Sequence, residues 1–210
     1  MTHRVACVLM LVGLLPFPAA AERGALTVSG GVGAGLVHGP PRYTSPTERA
    51  AGGTPALLLS LRYALDHEIE VGASALGLIG ARVHHDDVRI EGLPGRLVYD
   101  YGLVGLFAEL RWVPFGLILR PYVTLQAGVV EQLWVGARHL YVAPDGSTRD
   151  YGVEIPDTFS PAPAAGAGGG VEYVWDHLAV GLRGDVAVAA GTVPAVGLGA
   201  TAYFAWSFFP

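Results

Sequence analysis

The last apolar segment of the chain, residues 195–208, alternates between two faces and carries no charge on either of them. One face is apolar or aromatic and comprises Val196, Leu198, Ala200, Ala202, Phe204, Trp206 and Phe208. Successive residues of a strand point to opposite sides, so the residues in between form a second face. Most of the side chains on that second face are small. In a soluble sheet one face would meet water and carry charges. The pattern therefore predicts a strand with lipid on one side and a packed lumen on the other.

Composition and the amino-terminal segment favour the same environment. Charged residues make up 15% of the 210 residues, whereas an ordinary soluble domain carries about 25%. Residues 1–21 are predicted to be a cleaved secretory signal, with Arg4 before a short apolar run and three alanines at 19–21 for cleavage. Cys7, the one cysteine, lies in this segment, so we expect no disulfide in the mature chain. Residues 22–210 are predicted to form one domain.

Eight alternating segments account for that domain. They cover residues 25–37, 56–64, 68–83, 98–112, 117–135, 163–175, 178–189 and 195–208. Short turns alternate with longer polar connections near 38–55, 84–97 and 136–162, an asymmetry typical of bacterial outer-membrane barrels. A bilayer-spanning chain without a spanning helix must close its backbone hydrogen bonds in a barrel. We therefore predict an all-β fold, an eight-stranded antiparallel up-and-down transmembrane β-barrel.

Charges within these segments fall mostly on the face opposite the apolar one. An Arg at the lipid midplane would cost about 2–4 kcal/mol, so we assign these charges to the lumen, where ion pairs can balance them. The predicted lumen network comprises Arg62, Glu70, Arg82, Glu109, Arg111, Arg120, Glu172, Arg183 and Asp185. Equal counting from a turn at 65–67 places Arg62 directly opposite Glu70, where opposite charges attract.

Aromatic residues collect at the ends of the predicted strands. Those near the short turns form a predicted aromatic girdle that comprises Tyr63, Trp112, Tyr173, Trp175, Trp206 and Phe208. Those near the long loops form a second predicted girdle, with Tyr99, Tyr101, Trp134 and Tyr141. Two such belts are typical of barrels at the two membrane interfaces.

Residues with catalytic or metal-binding chemistry are present, but their spacing favours simpler interpretations. Two short turns share the spacing Tyr-x-x-Asp-His, which we attribute to turn chemistry and not to a catalytic dyad. The His-His-Asp-Asp run at 84–87 has residue types that bind metals, but neighbouring side chains in it point in opposite directions. The acids of the third loop could hold a divalent cation only loosely; they are Asp145, Asp150, Glu154 and Asp157. His139 has outward parity and Ser160 inward parity, so no nucleophilic pair is predicted. We predict no catalytic, metal or cofactor site, and no enzyme.

These features resemble the small eight-stranded outer-membrane barrels of the OmpA and OmpX type. The final strand, GLGATAYFAWSFF, looks like the carboxy-terminal assembly signal of that family, although this chain ends on Pro210. The resemblance implies outer-membrane localisation, with outer-membrane lipid, lipopolysaccharide and the barrel-assembly machinery as partners. It covers the barrel alone, so peptidoglycan tethering is not implied.

The expected role is structural, or a surface interaction through the outer loops, with side chains plugging the lumen. The alternatives are a narrow pore for small solutes and a lipid-modifying enzyme. A soluble lipocalin-like barrel is a further alternative, because alternation alone does not say which face is inside. The modest net charge of −5 and the absence of a basic run argue against nucleic acid.

Overall fold

A computed structural model of the chain describes residues 23–40, 50–114, 118–191 and 194–208. The predicted signal at 1–21 and the terminal Pro210 lie outside these ranges. No helix long and apolar enough to cross a membrane occurs in the described residues.

Nine antiparallel strands make up the described part of the chain. They are β1 (Leu26–Gly39), β2 (Ala50–Ala64), β3 (Ile69–Ile90), β4 (Leu93–Trp112), β5 (Leu119–Val142), β6 (Thr148–Asp150), β7 (Thr158–Trp175), β8 (Leu178–Ala189) and β9 (Ala195–Phe208). Eight of them form a closed ring, because β1 pairs with β9 while β4 pairs with β5. The short β6 pairs only with the outer end of β5. The predicted eight-stranded up-and-down architecture is confirmed.

Strands β2, β3, β4, β5 and β7 each extend five or more residues beyond the segments that the sequence pattern predicts, and β3, β4 and β5, with 20–24 residues, are the tallest. Strands β3 and β4 continue through the segment expected to be a loop and meet at Glu91 and Gly92, both with positive φ. That is the backbone conformation of a tight two-residue hairpin. Strand β5 likewise continues to Val142 and folds back through β6. Two hairpins, β3–β4 and β5–β6, therefore rise above one side of the ring.

Each of the tall strand pairs contains irregular register. Two residues oppose one at three places: Ile79 and Gly80 opposite Gly102, Asp86 and Asp87 opposite Arg96, and Gly136 and Ala137 opposite Tyr99. Gly80, Asp87 and Gly136 have positive φ at these β-bulges. Because side chains alternate with period two, each extra residue inverts the face of every residue that follows it on the bulged strand.

The outward face of the ring carries an apolar band. On β4 twelve residues separate Trp112 from Asp100, the first outward polar residue, and on β5 twelve residues separate Leu119 from Glu131. At about 3.3 Å per residue and a tilt of about 45°, twelve residues rise about 28 Å, close to the thickness of a bilayer core. Between these limits the outward side chains of β4 and β5 are Leu, Val, Ala, Gly and Pro, such as Leu106, 68% exposed.

Candidate functional site: the filled lumen

The half of the lumen next to the short turns contains eight buried charged side chains of balanced sign. Four are arginines and four are acids: Arg62, Arg111, Arg120, Arg183, Glu70, Glu109, Glu172 and Asp185. They come from six strands, and the alternation of each strand directs them inward. Eight of the nine residues of the predicted lumen network therefore meet in one layer, which we call the ion-pair layer.

Arg183 organises one side of the ion-pair layer. Its guanidinium donates to Asp185 through Nε and to Glu109 through both terminal nitrogens, at 2.7–3.1 Å. Gln126 donates a further hydrogen bond to Glu109 Oε2 at 3.1 Å. The two acids are thus held by one bidentate cation and a neutral amide, which is a strong arrangement in a space without bulk water.

Glu172 and Arg111 organise the other side. Glu172 lies within ion-pair distance of Arg111 and Arg120, at 2.7 and 2.5 Å, and accepts a hydrogen bond from Tyr203 Oη at 2.7 Å. Arg111 also reaches Glu70, at 3.6 Å, and its guanidinium lies 3.7 Å from the centroid of the Tyr122 ring. Arg111 is fully buried. It therefore connects two acids and an aromatic face at the centre of the layer.

The predicted pairing of Arg62 with Glu70 is wrong in register and yet the two side chains meet. The turn contains four residues, 65–68, so Arg62 lies opposite Gly72 and Glu70 opposite Ala64. The two charged residues are diagonal neighbours on the same face, and Arg62 Nη1 lies 3.5 Å from Glu70 Oε2. A shift of two residues keeps the parity, and this is why the contact survives the error in counting.

A double-mutant cycle on Arg62 and Glu70 is expected to give a coupling energy of about 1 kcal/mol, because both side chains are buried. The same cycle on the exposed pair Arg82 and Asp100 should give about 0.5 kcal/mol or less, since water screens it. Both energies can be measured by urea unfolding of the protein refolded in lipid vesicles. A coupling of zero between Arg62 and Glu70 would contradict the diagonal contact.

Arg82 does not belong to the lumen, contrary to the sequence-based prediction. Its side chain is 73% exposed and Nε donates to Asp100 Oδ1 at 3.1 Å on the outward face. The reason is the bulge at Ile79 and Gly80, which inverts the faces of β3 before Arg82 is reached. The pair lies at the outer edge of the apolar band, where charges meet the headgroup region.

The half of the lumen next to the long hairpins is apolar, which the sequence analysis missed. Tyr99, Tyr101 and Trp134, predicted to form an outer girdle, are buried inside it. Tyr101 packs against Trp134 with 5.4 Å between ring centroids and donates to Gln132 at 3.2 Å. The girdle prediction uses position along the strand and neglects parity. By parity, these residues share the inward face of Glu109 and Arg120. Tyr141, the fourth member, is half-buried and packs against Tyr151.

This apolar layer is packed between tall and short strands. Pairing of β2 with β3 ends at Ala56 and Leu78, and pairing of β7 with β8 ends at Ala164 and Ala189. Beyond these pairs, β3, β4 and β5 supply large side chains, and the short strands supply small ones. At Gly39, for example, a Cβ atom would lie 2.0 Å from Tyr101 Oη.

Little space remains inside the apolar layer. The void lined by Leu78, Leu103, Phe107 and Val130 among others measures about 10 Å³. That volume accommodates one water molecule at most. The lumen is thus filled by two successive layers, one of ion pairs and one of aromatic and aliphatic side chains.

The structure places the six girdle residues of the short-turn end on the outward face. Each is between 44% and 67% exposed, and they are Tyr63, Trp112, Tyr173, Trp175, Trp206 and Phe208. The ring of His177 stacks on Trp206 at 6.3 Å between centroids.

The two turns with the Tyr-x-x-Asp-His spacing have different structures. Asp66 accepts hydrogen bonds from the N–H groups of Glu68 and Ile69, and these bonds hold the pKa of Asp66 below its usual range. Asp176 instead has a φ of 55° in a turn of two residues. One sequence spacing has therefore produced two turns, although Asp suits both of them.

His139 faces the lumen, so its predicted outward parity is wrong. The bulge at Gly136 and Ala137 inverts β5 before His139, which is fully buried. Its ring stacks on Tyr151 at 4.8 Å between centroids, and Nε2 lies 3.2 Å from the Val88 carbonyl oxygen. Ser160 on β7 lies opposite Gln132 on β5 and shares its inward face.

The candidate metal-binding residues are engaged locally. His84 is exposed on the outward face, and His85 is buried beside Tyr99. In the third loop Asp145 pairs with Arg149, while Asp157 accepts the N–H of Gly136. Hydrogen bonds from Ser147 and from Arg149 hold the pKa of Asp145 below its usual range. The ranges covered by the structure contain no group of three or more His, Cys, Asp or Glu side chains that could hold a metal ion.

Comparison with known proteins places this chain among the small outer-membrane barrels by fold. Neisserial surface protein A aligns over the whole of its own length with 89% of this chain, with a TM-score of 0.55 and 13% identity. The outer-membrane protein OprG from Pseudomonas aeruginosa aligns over the whole of its own length with 92% of this chain, with a TM-score of 0.57 and 14% identity. The sequence matches no protein-family model and no curated protein. The fold is that of an OmpA- and OmpX-type barrel.

Proposed function

We propose that this protein is an integral outer-membrane barrel with a closed lumen, which supports the envelope and presents its two tall hairpins at the cell surface. The filling of the lumen by two different layers carries this proposal. A solute would have to break the ion pairs of Arg111 and Arg183 and then displace Tyr101 and Trp134. An open conduit would contain neither of these two barriers, so we favour the structural role over the pore.

The outer-membrane location is supported by the surface of the barrel. An apolar band about 28 Å high, edged by aromatic residues at one end and by Arg82, Asp100 and Glu131 at the other, fits a bilayer. The two similar structures are described as a surface protein and an outer-membrane protein. In such barrels the short turns face the periplasm and the longer connections face outward, which gives this protein its proposed orientation.

We propose no enzymatic role for this protein. His139 on β5 is fully buried, and its ring contacts Tyr151 and the Val88 carbonyl. A general base must be within hydrogen-bond reach of the proton that it removes. Outer-membrane lipid and lipopolysaccharide remain the proposed surroundings, with the barrel-assembly machinery as a partner during insertion.

Conductance of the refolded protein in a planar bilayer tests the closed lumen. We expect no stepwise current from the wild type, and none from Arg183→Ala, because the apolar layer still closes the lumen. We expect current only when both layers are reduced, as in Arg183→Ala with Tyr101→Ala and Trp134→Ala. Discrete, reproducible channels in the wild-type protein would reject the proposal in favour of the pore.

A further inference from the structure

The two tall hairpins separate above the last pair of β4 with β5, Arg96 with Leu140. Between them lies a cleft of about 520 Å³, which we call the fork cleft. Asp86, Asp87 and Arg96 line it from the β3–β4 hairpin, and Tyr141 and Tyr151 from the other side. We propose that the fork cleft binds a pyranose sugar. The inference rests on the proposed outward orientation of the hairpins.

The fork cleft is held in shape by contacts across the fork. Tyr151 Oη donates to the Pro94 carbonyl oxygen at 2.9 Å, which ties the segment after β6 to the β3–β4 hairpin. The Tyr151 ring packs between those of His139 and Tyr141, at 4.8 and 4.4 Å between centroids. The volume is within the range of about 300–1,000 Å³ that small-molecule sites occupy. The cleft is therefore formed before any ligand arrives.

The lining matches a ligand with hydroxyl groups and an apolar face. Arg96 and Asp86 form an ion pair whose side chains are 57% and 59% exposed, so the guanidinium donors and carboxylate acceptors can also bond to a hydroxylated ligand. Tyr141, at the end of the ring stack, combines an apolar ring face with a hydroxyl group. A pyranose offers hydroxyl donors and acceptors around its edge and C–H groups on its face.

Other ligand classes fit the cleft less well. An anion would meet two carboxylates, from Asp86 and Asp87, against the single guanidinium of Arg96. A purely apolar ligand would bury the ion pair of Asp86 with Arg96 without replacing its water contacts, which is costly. A neutral, hydroxylated ring has neither disadvantage.

The height of the cleft identifies two sources for such a sugar. Arg96 lies four residues beyond Asp100, which marks the edge of the apolar band. At about 3.3 Å per residue and a tilt of about 45°, that is about 9 Å above the hydrocarbon. Core sugars of lipopolysaccharide in the same membrane occupy this layer, and a free glycan reaches it from outside. The shared chemistry is the pyranose ring.

Ligand titration of the full chain in detergent micelles tests the proposal, with heteronuclear NMR or calorimetry as the readout. The two probes are dephosphorylated core oligosaccharide released from lipopolysaccharide, which offers neutral pyranose rings, and maltose. We expect a dissociation constant in the millimolar range or tighter for at least one of them. Preference for the core oligosaccharide identifies the membrane's own sugars as the source, and binding of maltose at least as tight identifies a free glycan.

Matched variants locate the binding. Arg96→Gln and Tyr141→Ala are expected to weaken it at least tenfold. Arg149→Gln should change it less than twofold, because Arg149 is equally exposed, at 56%, and equally paired, with Asp145, but does not line the cleft. Retained heat-modifiable gel migration shows that each variant is folded. Absence of binding to both probes, or equal binding by all three variants, would overturn the proposal.

The micelle experiment does not depend on how the protein is oriented in cells. Protease accessibility of the β3–β4 and β5–β6 hairpins on intact cells tests the orientation separately. Binding without surface accessibility would reject the proposed orientation alone, whereas accessibility without binding would reject the sugar site alone.

Discussion

Replacing Arg111 with alanine is expected to lower the free energy of unfolding by about 3–5 kcal/mol. Arg111 is fully buried and lies between Glu70 and Glu172, so its loss leaves an excess negative charge among groups that water cannot reach. It also removes the cation from the face of Tyr122. Unfolding in urea from lipid vesicles, followed by tryptophan fluorescence, measures the effect.

Two variants separate charge from packing in this result. Arg149→Ala removes an exposed, paired arginine and should cost less than about 1 kcal/mol. Combining Arg111→Met with Glu70→Gln restores charge balance at nearly the same volume and should recover at least half of the loss. An Arg111→Ala variant as stable as Arg149→Ala would show that the ion-pair layer is hydrated and does not close the lumen.

Replacing Phe208 with aspartate is expected to reduce the amount of folded barrel in the membrane at least tenfold. Phe208 is 53% exposed on the outward face at the aromatic end of β9. The change removes an apolar side chain worth about 1.5–3 kcal/mol when buried in an apolar phase, and adds a charge to the lipid interface. The heat-modifiable fraction of membrane protein on gels is the measurement.

Ser207→Asp is the matched control for this change. Ser207 is one residue earlier, has the opposite parity and bonds to Thr27 on the lumen side. An aspartate there meets the lumen mouth and not lipid, so assembly should fall less than twofold. Equal defects in the two variants would mean that the register of β9 is not the one described. If the assembly machinery reads this strand, as we propose, the Phe208→Asp defect in cells will exceed that of refolding in vitro.

Much of the fold could be predicted because a barrel strand is encoded locally. Alternation with period two gave eight segments, and two of them, residues 178–189 and 195–208, match strands β8 and β9 in both bounds. The same alternation assigned nine charges to the inside, and eight of them lie there. The register error at Arg62 did no harm, because a shift of two residues leaves the face unchanged.

Two errors about the side that a residue faces arise where the alternation is interrupted, and a third arises where the alternation is neglected. Arg82 and His139 follow bulges at Gly80 and Gly136, and one extra residue reverses the face of all that follow it. A glycine in a strand is compatible with a bulge and does not require one. The girdle prediction for Tyr101 and Trp134 rests on their place near the loops, although the parity of Tyr101 with Glu109 and of Trp134 with Arg120 directs both inward.

The sequence by itself determined the number of strands in the ring, the two faces of each strand up to its first bulge and the balanced signs of the charges, since these depend on residue types and their spacing. Alternation alone did not decide which face is inside. Closure of β4 onto β5 decided that, leaving Leu106 outside and Arg111 wholly buried. Only the tertiary structure separated the lumen into an ion-pair layer and an apolar layer and opened the cleft between the tall hairpins. Both result from side chains of different strands meeting at one height, and that height depends on register and bulges that local spacing does not specify.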